Sequence, residues 1–185
     1  MMSSPSTKLV YRLLLRELVE DDIDDRYVAW FSQGDRHLDF YSATGRKFER
    51  EALLRDLREG KQSGRTFFYA IVDKAEGLVI GNVKIGPIDP IHKTSDLVVL
   101  IGDRAFLGKG LAKEAIELGN AIAFEAHGIR KLCGGMFAAH AASIKAYLAA
   151  GWVIEGTLKG HYLVNGEQMD RVLVACFNKQ FFPAS

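Results

Sequence analysis

The stretch that most restricts the fold runs from Ser95 to Gly128, SDLVVLIGDRAFLGKGLAKEAIELGNAIAFEAHG. Asp96 to Ile101 reads as a buried strand, the segment after it as a loop holding Gly108 and Gly110, and Leu111 onward as a long helix. A glycine loop running into a helix N-terminus leaves backbone N–H groups unpaired and directed outward, as phosphate oxygens require. The same pattern also serves a tight turn that merely needs two glycines. The stretch points to an anion site without naming the anion.

The elements around it arrange themselves by period and punctuation. Leu9 to Arg16 is an apolar run of strand length, and Glu20-Asp21-Asp22 closes it and caps a helix starting near Ile23, with Tyr27, Val28, Trp30 and Phe31 as a bulky surface. Gln33 to Phe48 is polar and aperiodic but carries His37, Phe40 and Tyr41, the composition of a loop that folds over something. Phe48 to Arg58 has helical spacing and is expected to end at Gly60. Thr66 to Val72 and Leu78 to Ile85 form a hairpin across a polar connection ending in Gly77. Behind the glycine loop, Leu111, Ala115, Leu118, Ile122 and Ala126 predict a buried helical stripe, and Gly119 within it predicts a close helix–sheet contact.

Ile129 to Phe137 is the next strand, so the strand–helix–strand order predicts two parallel neighbours. A shorter helix spans Ala141 to Ala150 and stops at Gly151. Trp152 to Leu158 and Asp170 to Phe177 are strands joined through Asn165-Gly166. The fold class expected is α/β (α+β): a mixed, mostly antiparallel twisted sheet with a central parallel pair and flanking helices. A single domain over residues 9–178 is expected, with 1–8 and 179–185 as flexible termini, since 185 residues divided in two leave marginal cores.

Composition narrows the chemistry by exclusion. The 24 Lys plus Arg nearly balance the 23 Asp plus Glu, so no global basic field argues for nucleic acid. Cys133 and Cys176 sit in apolar segments without CxxC or His/Cys clusters, which reads as buried free thiols, a reducing compartment and no metal. No apolar leader and no membrane-length run is present, so a cytoplasmic location is expected, with no membrane partner. The loop is neither GxxxxGK[ST] nor GxGxxG, which removes the two commonest phosphate-loop classes.

In HAASIKAYLAAG, His140, Ser143 and Tyr147 lie at i, i+3 and i+7 and share one side, with Ile144 and Leu148 turned toward the core. Two parallel strands, each followed by a helix, leave a gap at their C-terminal ends. An elongated ligand fits there with its phosphate end on Leu107 to Leu111 and its reactive end near Asp96 to Leu100.

RAFLGKGLAKEAI, the strand IRKLCGGMF and AHAASIKAYLAAGW together resemble the GCN5-related N-acetyltransferase (GNAT) superfamily, more narrowly the branch with ribosomal-protein alanine acetyltransferases and amino-sugar acetyltransferases. The resemblance spans about residues 9 to 178. It implies acetyl-CoA as donor, its pyrophosphate cradled by Gly108, Lys109, Gly110, Leu111 and Ala112, with Arg104, His140 and Ser143 alongside and Val98, Val99 and Leu100 pairing with the pantetheine amides. It implies Tyr147 as general acid toward the leaving thiolate, a role a neutral phenol suits. Asp96 stands where many relatives carry glutamate, and is either the base that frees the amine of its proton or a strand-end cap.

The resemblance implies acetyl transfer to a small amine or amino sugar by direct attack; a protein N-terminus is the alternative acceptor and a non-catalytic coenzyme-A-binding module the alternative class. Two departures stand out: His140 replaces the usual asparagine, and Ala105 stands where glutamine or arginine is common, with Arg104 one place earlier. Trp30, Phe40, Tyr41, His161, Tyr162 and Asp170 are candidates for the acceptor side. A homodimer through an apolar face or edge strand stays open.

Overall fold

The computed structural model describes residues 11–32, 48–164 and 166–183. Seven strands form one sheet: β1 (Leu13–Glu17), β2 (Phe67–Asp73), β3 (Leu78–Ile85), β4 (Thr94–Ile101), β5 (Lys131–Phe137), β6 (Val153–Val164) and β7 (Glu167–Phe177), in the spatial order β1-β2-β3-β4-β5-β7-β6. Among the described residues four α-helices pack on it: α1 (Asp25–Ser32), α2 (Arg50–Ser63), α3 (Leu111–Glu125) and α4 (Ala141–Ala149). Only β4 and β5 run parallel, and the other neighbours are antiparallel, as the order of elements predicts. Among the described residues no helix is long and apolar enough to cross a membrane.

Strand alternation divides the core into two layers. Leu97, Ile101, Val83, Leu132 and Val174 face α3 and α4, while Leu100, Ala70 and Val72 face α1 and α2 with Trp30 and Leu57. The face of α3 on the sheet is small: Leu111, Ala115, Ile116, Gly119, Asn120 and Ala123 are buried. Leu118 and Ile122, expected in the buried stripe, are only partly buried, because the helix turns its small side to the strands to come close. A Cβ on Gly119 would stand 2.9 Å from Leu97 Cδ1 and 3.2 Å from Val83 Cγ1, which is the close contact its position predicts.

Three boundaries differ from the sequence reading. Helix α2 continues through Gly60 to Ser63; Gly60 is buried, and a Cβ there would lie 3.0 Å from the Thr66 carbonyl oxygen. It serves close packing rather than termination. Strands β6 and β7 extend further toward the hairpin tip than expected, because the register shift between Leu158 and Tyr162 absorbs Lys159 and Gly160 without ending the ladder. On α4, Tyr147 is 6% exposed and Leu148 40%, the reverse of the expected sides. The Tyr147 ring meets Trp152 edge-on at 4.8 Å, which draws the phenol inward and leaves Leu148 outside.

Past β7, Phe181 and Phe182 donate N–H bonds to the Asn178 carbonyl, and Lys93 and Arg130 stand over their rings at 5.4 and 5.6 Å.

Candidate functional site

The site begins where a strand pairing stops. β4 and β5 share only the register Thr94↔Lys131, Ser95↔Leu132 and Asp96↔Cys133, while β4 stays paired with β3 as far as Gly81↔Ile101. Past Leu97, β4 therefore has one edge without β5. The parity of that edge follows from the bonds at its two ends: Gly86 N–H donates to the Asp96 carbonyl, and Gly102 N–H to the Ile80 carbonyl on the β3 side. Even-numbered residues thus turn their main-chain groups to β3, and Val99 and Ile101, past the last β5 pair, turn theirs into the gap. Of Val98, Val99 and Leu100, the ladder commits the first and last to β3 and leaves Val99 facing the gap.

The gap opens toward the glycine loop. Asp103 caps a short turn, Arg104–Phe106, by accepting from Ala105 N–H at 2.9 Å, and the buried Phe106 anchors the loop. Gly108 and Gly110 then take φ of 71° and 75°, a conformation that favours glycine and turns successive amides to one side. Around the Cβ position of each, nothing lies within 4 Å. Gly110 is the N-cap of α3 and offers no side-chain cap to the amides of Leu111 and Ala112. Lys109 Nζ lies 5.1 Å from the Phe106 ring centre, exposed beside those amides. Open space, outward donors and a helix N-terminus fit a pyrophosphate.

Tyr147 stands at the inner end of the gap. Its hydroxyl donates to the Leu97 carbonyl at 2.9 Å, the first β4 residue past the last β5 pair. Trp152 supports the ring and is itself held by Nε1–H donation to Asn120 Oδ1 at 3.1 Å. Asn120 and Trp152 thus hold the Tyr147 ring, and neither was singled out from sequence; the available signal was an Asn within the apolar run GNAIAF. His140 is the N-cap of α4 without a side-chain cap bond, and its carbonyl accepts from Ser143 and Ile144 N–H. Arg104 is exposed at the loop's start and Ser143 is half-buried.

The other face of the fork carries charge. Asp96 points there, since Leu97 points to α3, and its register partner Cys133 shares that face. The Asp96 carboxyl keeps an accessible edge, yet burial of its remaining surface raises its pKa above the ordinary value; Lys84 and then Arg171 oppose the shift in part. Burial likewise pushes the Cys133 thiol up, so it rests protonated. Arg171 reaches this face from β7 and lies across Gly135. Neither Lys84 nor Arg171 was singled out from sequence. The signal for Arg171 was an arginine in the apolar strand DRVLVACF on the side opposite Val172, Val174 and Cys176.

The remaining acceptor-side candidates divide. Tyr162 stacks on Phe137 at 4.0 Å and His161 meets it edge-on at 4.9 Å, beside Arg171. Asp170 instead accepts from Lys159 Nζ at 2.7 Å and Gly160 N–H at 2.9 Å, which lowers its pKa and pins the β6 irregularity. Trp30 is 8% exposed and packed over Gly102, inside the layer between α1 and the sheet. Phe40 and Tyr41 lie outside the described residues.

Comparison with known proteins bears on the fold and the family. The acetyltransferase (GNAT) domain model matches residues 12–153. Spermidine N(1)-acetyltransferases of Escherichia coli K12 and O157:H7 are each 26% identical over 120 residues, 65% of this chain and 62% of theirs, so the chain spans less than two thirds of these relatives' length. A spermidine N-acetyltransferase from Vibrio cholerae, solved with CoA and spermine, superimposes with a TM-score of 0.79 at 18% identity, covering 92% of this chain and 98% of that one. The ribosomal-protein-S5-alanine acetyltransferase from Vibrio fischeri gives 0.76 at 22%, covering 95% and 98%. Those two structures share the fold; the domain match, over most of the chain, shows that this chain belongs to the GNAT acetyltransferase family.

Proposed function

We propose that the chain transfers an acetyl group from acetyl-CoA to a primary amine on a small molecule, by direct attack of the amine nitrogen. The observation that carries this reading is the β4 edge left without β5 past Leu97, at Val99 and Ile101, which lies between Tyr147 and the open glycine loop. Relatives that are spermidine acetyltransferases support an amine acceptor, and the Vibrio cholerae complex supports CoA as the carrier.

The amides of Gly108, Lys109, Gly110, Leu111 and Ala112 would hold the pyrophosphate, and the Val99 edge would pair with the pantetheine amides. When bound, acetyl-CoA supplies acetyl as an activated thioester. Asp96 takes the proton that an alkylammonium must lose before it attacks, directly or through water; its raised pKa brings it nearer that task. A gap-facing N–H of β4 stabilises the negative charge that develops on the thioester oxygen. Tyr147 Oη holds the proton that the departing sulfur takes up. The balance is closed: the C–N bond forms, the C–S bond breaks, one proton leaves nitrogen and one arrives at sulfur.

The test is a thiol-release screen with acetyl-CoA against amino sugars, polyamines, aminoglycosides and N-terminal peptides. Turnover with a small amine above the peptides is expected. Preference for peptides transfers the reading to a protein N-terminus, and CoA binding without thiol release across the panel favours a non-catalytic module. A cytoplasmic setting accords with the two cysteines being unpaired thiols.

A further inference from the structure

The acceptor face of the fork holds more positive charge than the transfer step uses. Arg171 crosses Gly135 so closely that a Cβ there would come 2.5 Å from its Nη2 and 2.7 Å from its Cζ. Its Nε is buried without a hydrogen-bond partner. Nη1 has only the His161 Nε2 at 3.4 Å, and the Tyr162 ring centre lies 6.0 Å from Cζ. Lys84 pairs in register with Val98, two residues from Asp96 on the same face, and makes no ion pair among the described residues. Two cations thus flank one carboxylate. A guanidinium with a buried, unsatisfied donor is costly unless something accepts from it, and carboxylate and phosphate are the groups that fit its planar fork.

Lys84 also lines a cleft of about 370 Å³ between α2 and the adjoining ends of β2 and β3, with Arg65, Thr66, Phe68 and Pro87. This cleft adjoins Asp96, because Gly86, next to Pro87, bonds the Asp96 carbonyl. An acceptor lying across the fork therefore meets Arg171 on one side of Asp96 and Lys84 on the other. Asp56 and Glu59 stand on the α2 wall of the cleft, so a polycation reaching along α2 is the competing occupant.

We infer that the acceptor carries an anionic oxygen group, carboxylate or phosphate, a few bonds from its reactive amine, and that Arg171, with Lys84 opposite, binds that group. This rests on the acetyl-transfer reading and narrows its substrate class: the site selects amines that are also anions, in contrast to spermidine. Gly135 belongs to the device, because any side chain there displaces the guanidinium.

The experiment measures kcat/KM by thiol release for matched acceptors: β-alanine with β-alaninamide, O-phosphoethanolamine with ethanolamine, and spermidine alone. The anionic member of at least one pair is expected to lead its neutral partner and spermidine by about tenfold or more, and the leading pair tells carboxylate from phosphate. Arg171→Gln should reduce that ratio by about tenfold, Arg171→Lys by less, and Gly135→Ala should reduce it with every charge retained. Neutral or polycationic acceptors leading, or a ratio unmoved by Arg171→Gln and Gly135→Ala, overturns the inference and leaves acetyl transfer standing. Absence of thiol release with every acceptor, while CoA binds by calorimetry, overturns the acetyl-transfer reading and this inference with it.

Discussion

Replacing Tyr147 with phenylalanine separates chemistry from scaffolding at one atom. The ring and its edge-on contact with Trp152 survive, and only the hydroxyl that donates to the Leu97 carbonyl at 2.9 Å is lost. In the resting chain this strands a mostly enclosed carbonyl, a cost of about 1–2 kcal/mol and roughly 3–6 °C in Tm for a chain of this size. On the proposed mechanism it removes the proton held for the departing sulfur, and a positioned acid contributes on the order of 10²–10⁴-fold. A kcat decrease of about a hundredfold, near 2.7 kcal/mol in barrier, is therefore expected. CoA affinity should stay within about threefold, since main-chain amides supply the phosphate contacts. Steady-state thiol release gives kcat, calorimetry gives the CoA Kd, and a melting scan gives the structural share. A variant with the expected Tm decrease but near-normal kcat would show the hydroxyl to be a strut alone. Parallel losses in kcat and CoA affinity would show that it shapes the gap rather than serving the sulfur.

Three further outcomes follow from the same geometry. Asp96 titrates above the ordinary carboxylate value, and its protonated form cannot accept a proton; kcat/KM should therefore rise with pH through that raised value, and Asp96→Asn should remove the limb and about a hundredfold of rate, whereas an unchanged pH profile excludes Asp96 as the base. Gly119→Ala forces α3 off Leu97 and Val83 and should cost about 1–3 kcal/mol in chemical denaturation, with an unchanged midpoint refuting the close contact. Burial lowers the pKa of His127, whose Nε2 meets the Tyr69 hydroxyl at 2.8 Å; the unfolded chain binds the proton more readily, so this stability is present above about pH 6.5 and is lost as pH falls from there through the lowered value. His127→Gln should flatten the pH dependence of Tm in that window, and an unaltered slope would assign it to other groups.

The glycine-loop half of the candidate site was legible because its signals are local. Gly108 and Gly110 are needed for their own backbone angles, and the strand before them and helix after them declare themselves by period. The hairpins were legible for the same reason. Gly60 misled because a glycine can be required by a neighbour as well as by its own φ; the neighbours, Thr66 and Phe68, belong to another element. The helical side of Tyr147 misled because hydrophobicity ranks Leu148 as the buried residue, while the aromatic contact that decides the matter is made with Trp152 across the α4–β6 turn.

The charged face of the candidate site was illegible because register creates it. Asp96, Cys133, Gly135, Arg171 and Lys84 come from four strands and share one face only through the pairings Asp96↔Cys133, Phe137↔Arg171 and Lys84↔Val98. A shift of any one pairing by a single residue would turn its charged member to the opposite layer, among Leu97, Leu132 and Val174. An arginine cannot be accommodated there unpaired, so the charges themselves help enforce the register that assembles them. In that sense Arg171 was visible as an anomaly, a charge within DRVLVACF, before any partner strand could be assigned. Such an anomaly has two readings, a residue that fixes register and a residue that binds a ligand. The buried Nε without a protein acceptor is the observation that supports the ligand-binding reading.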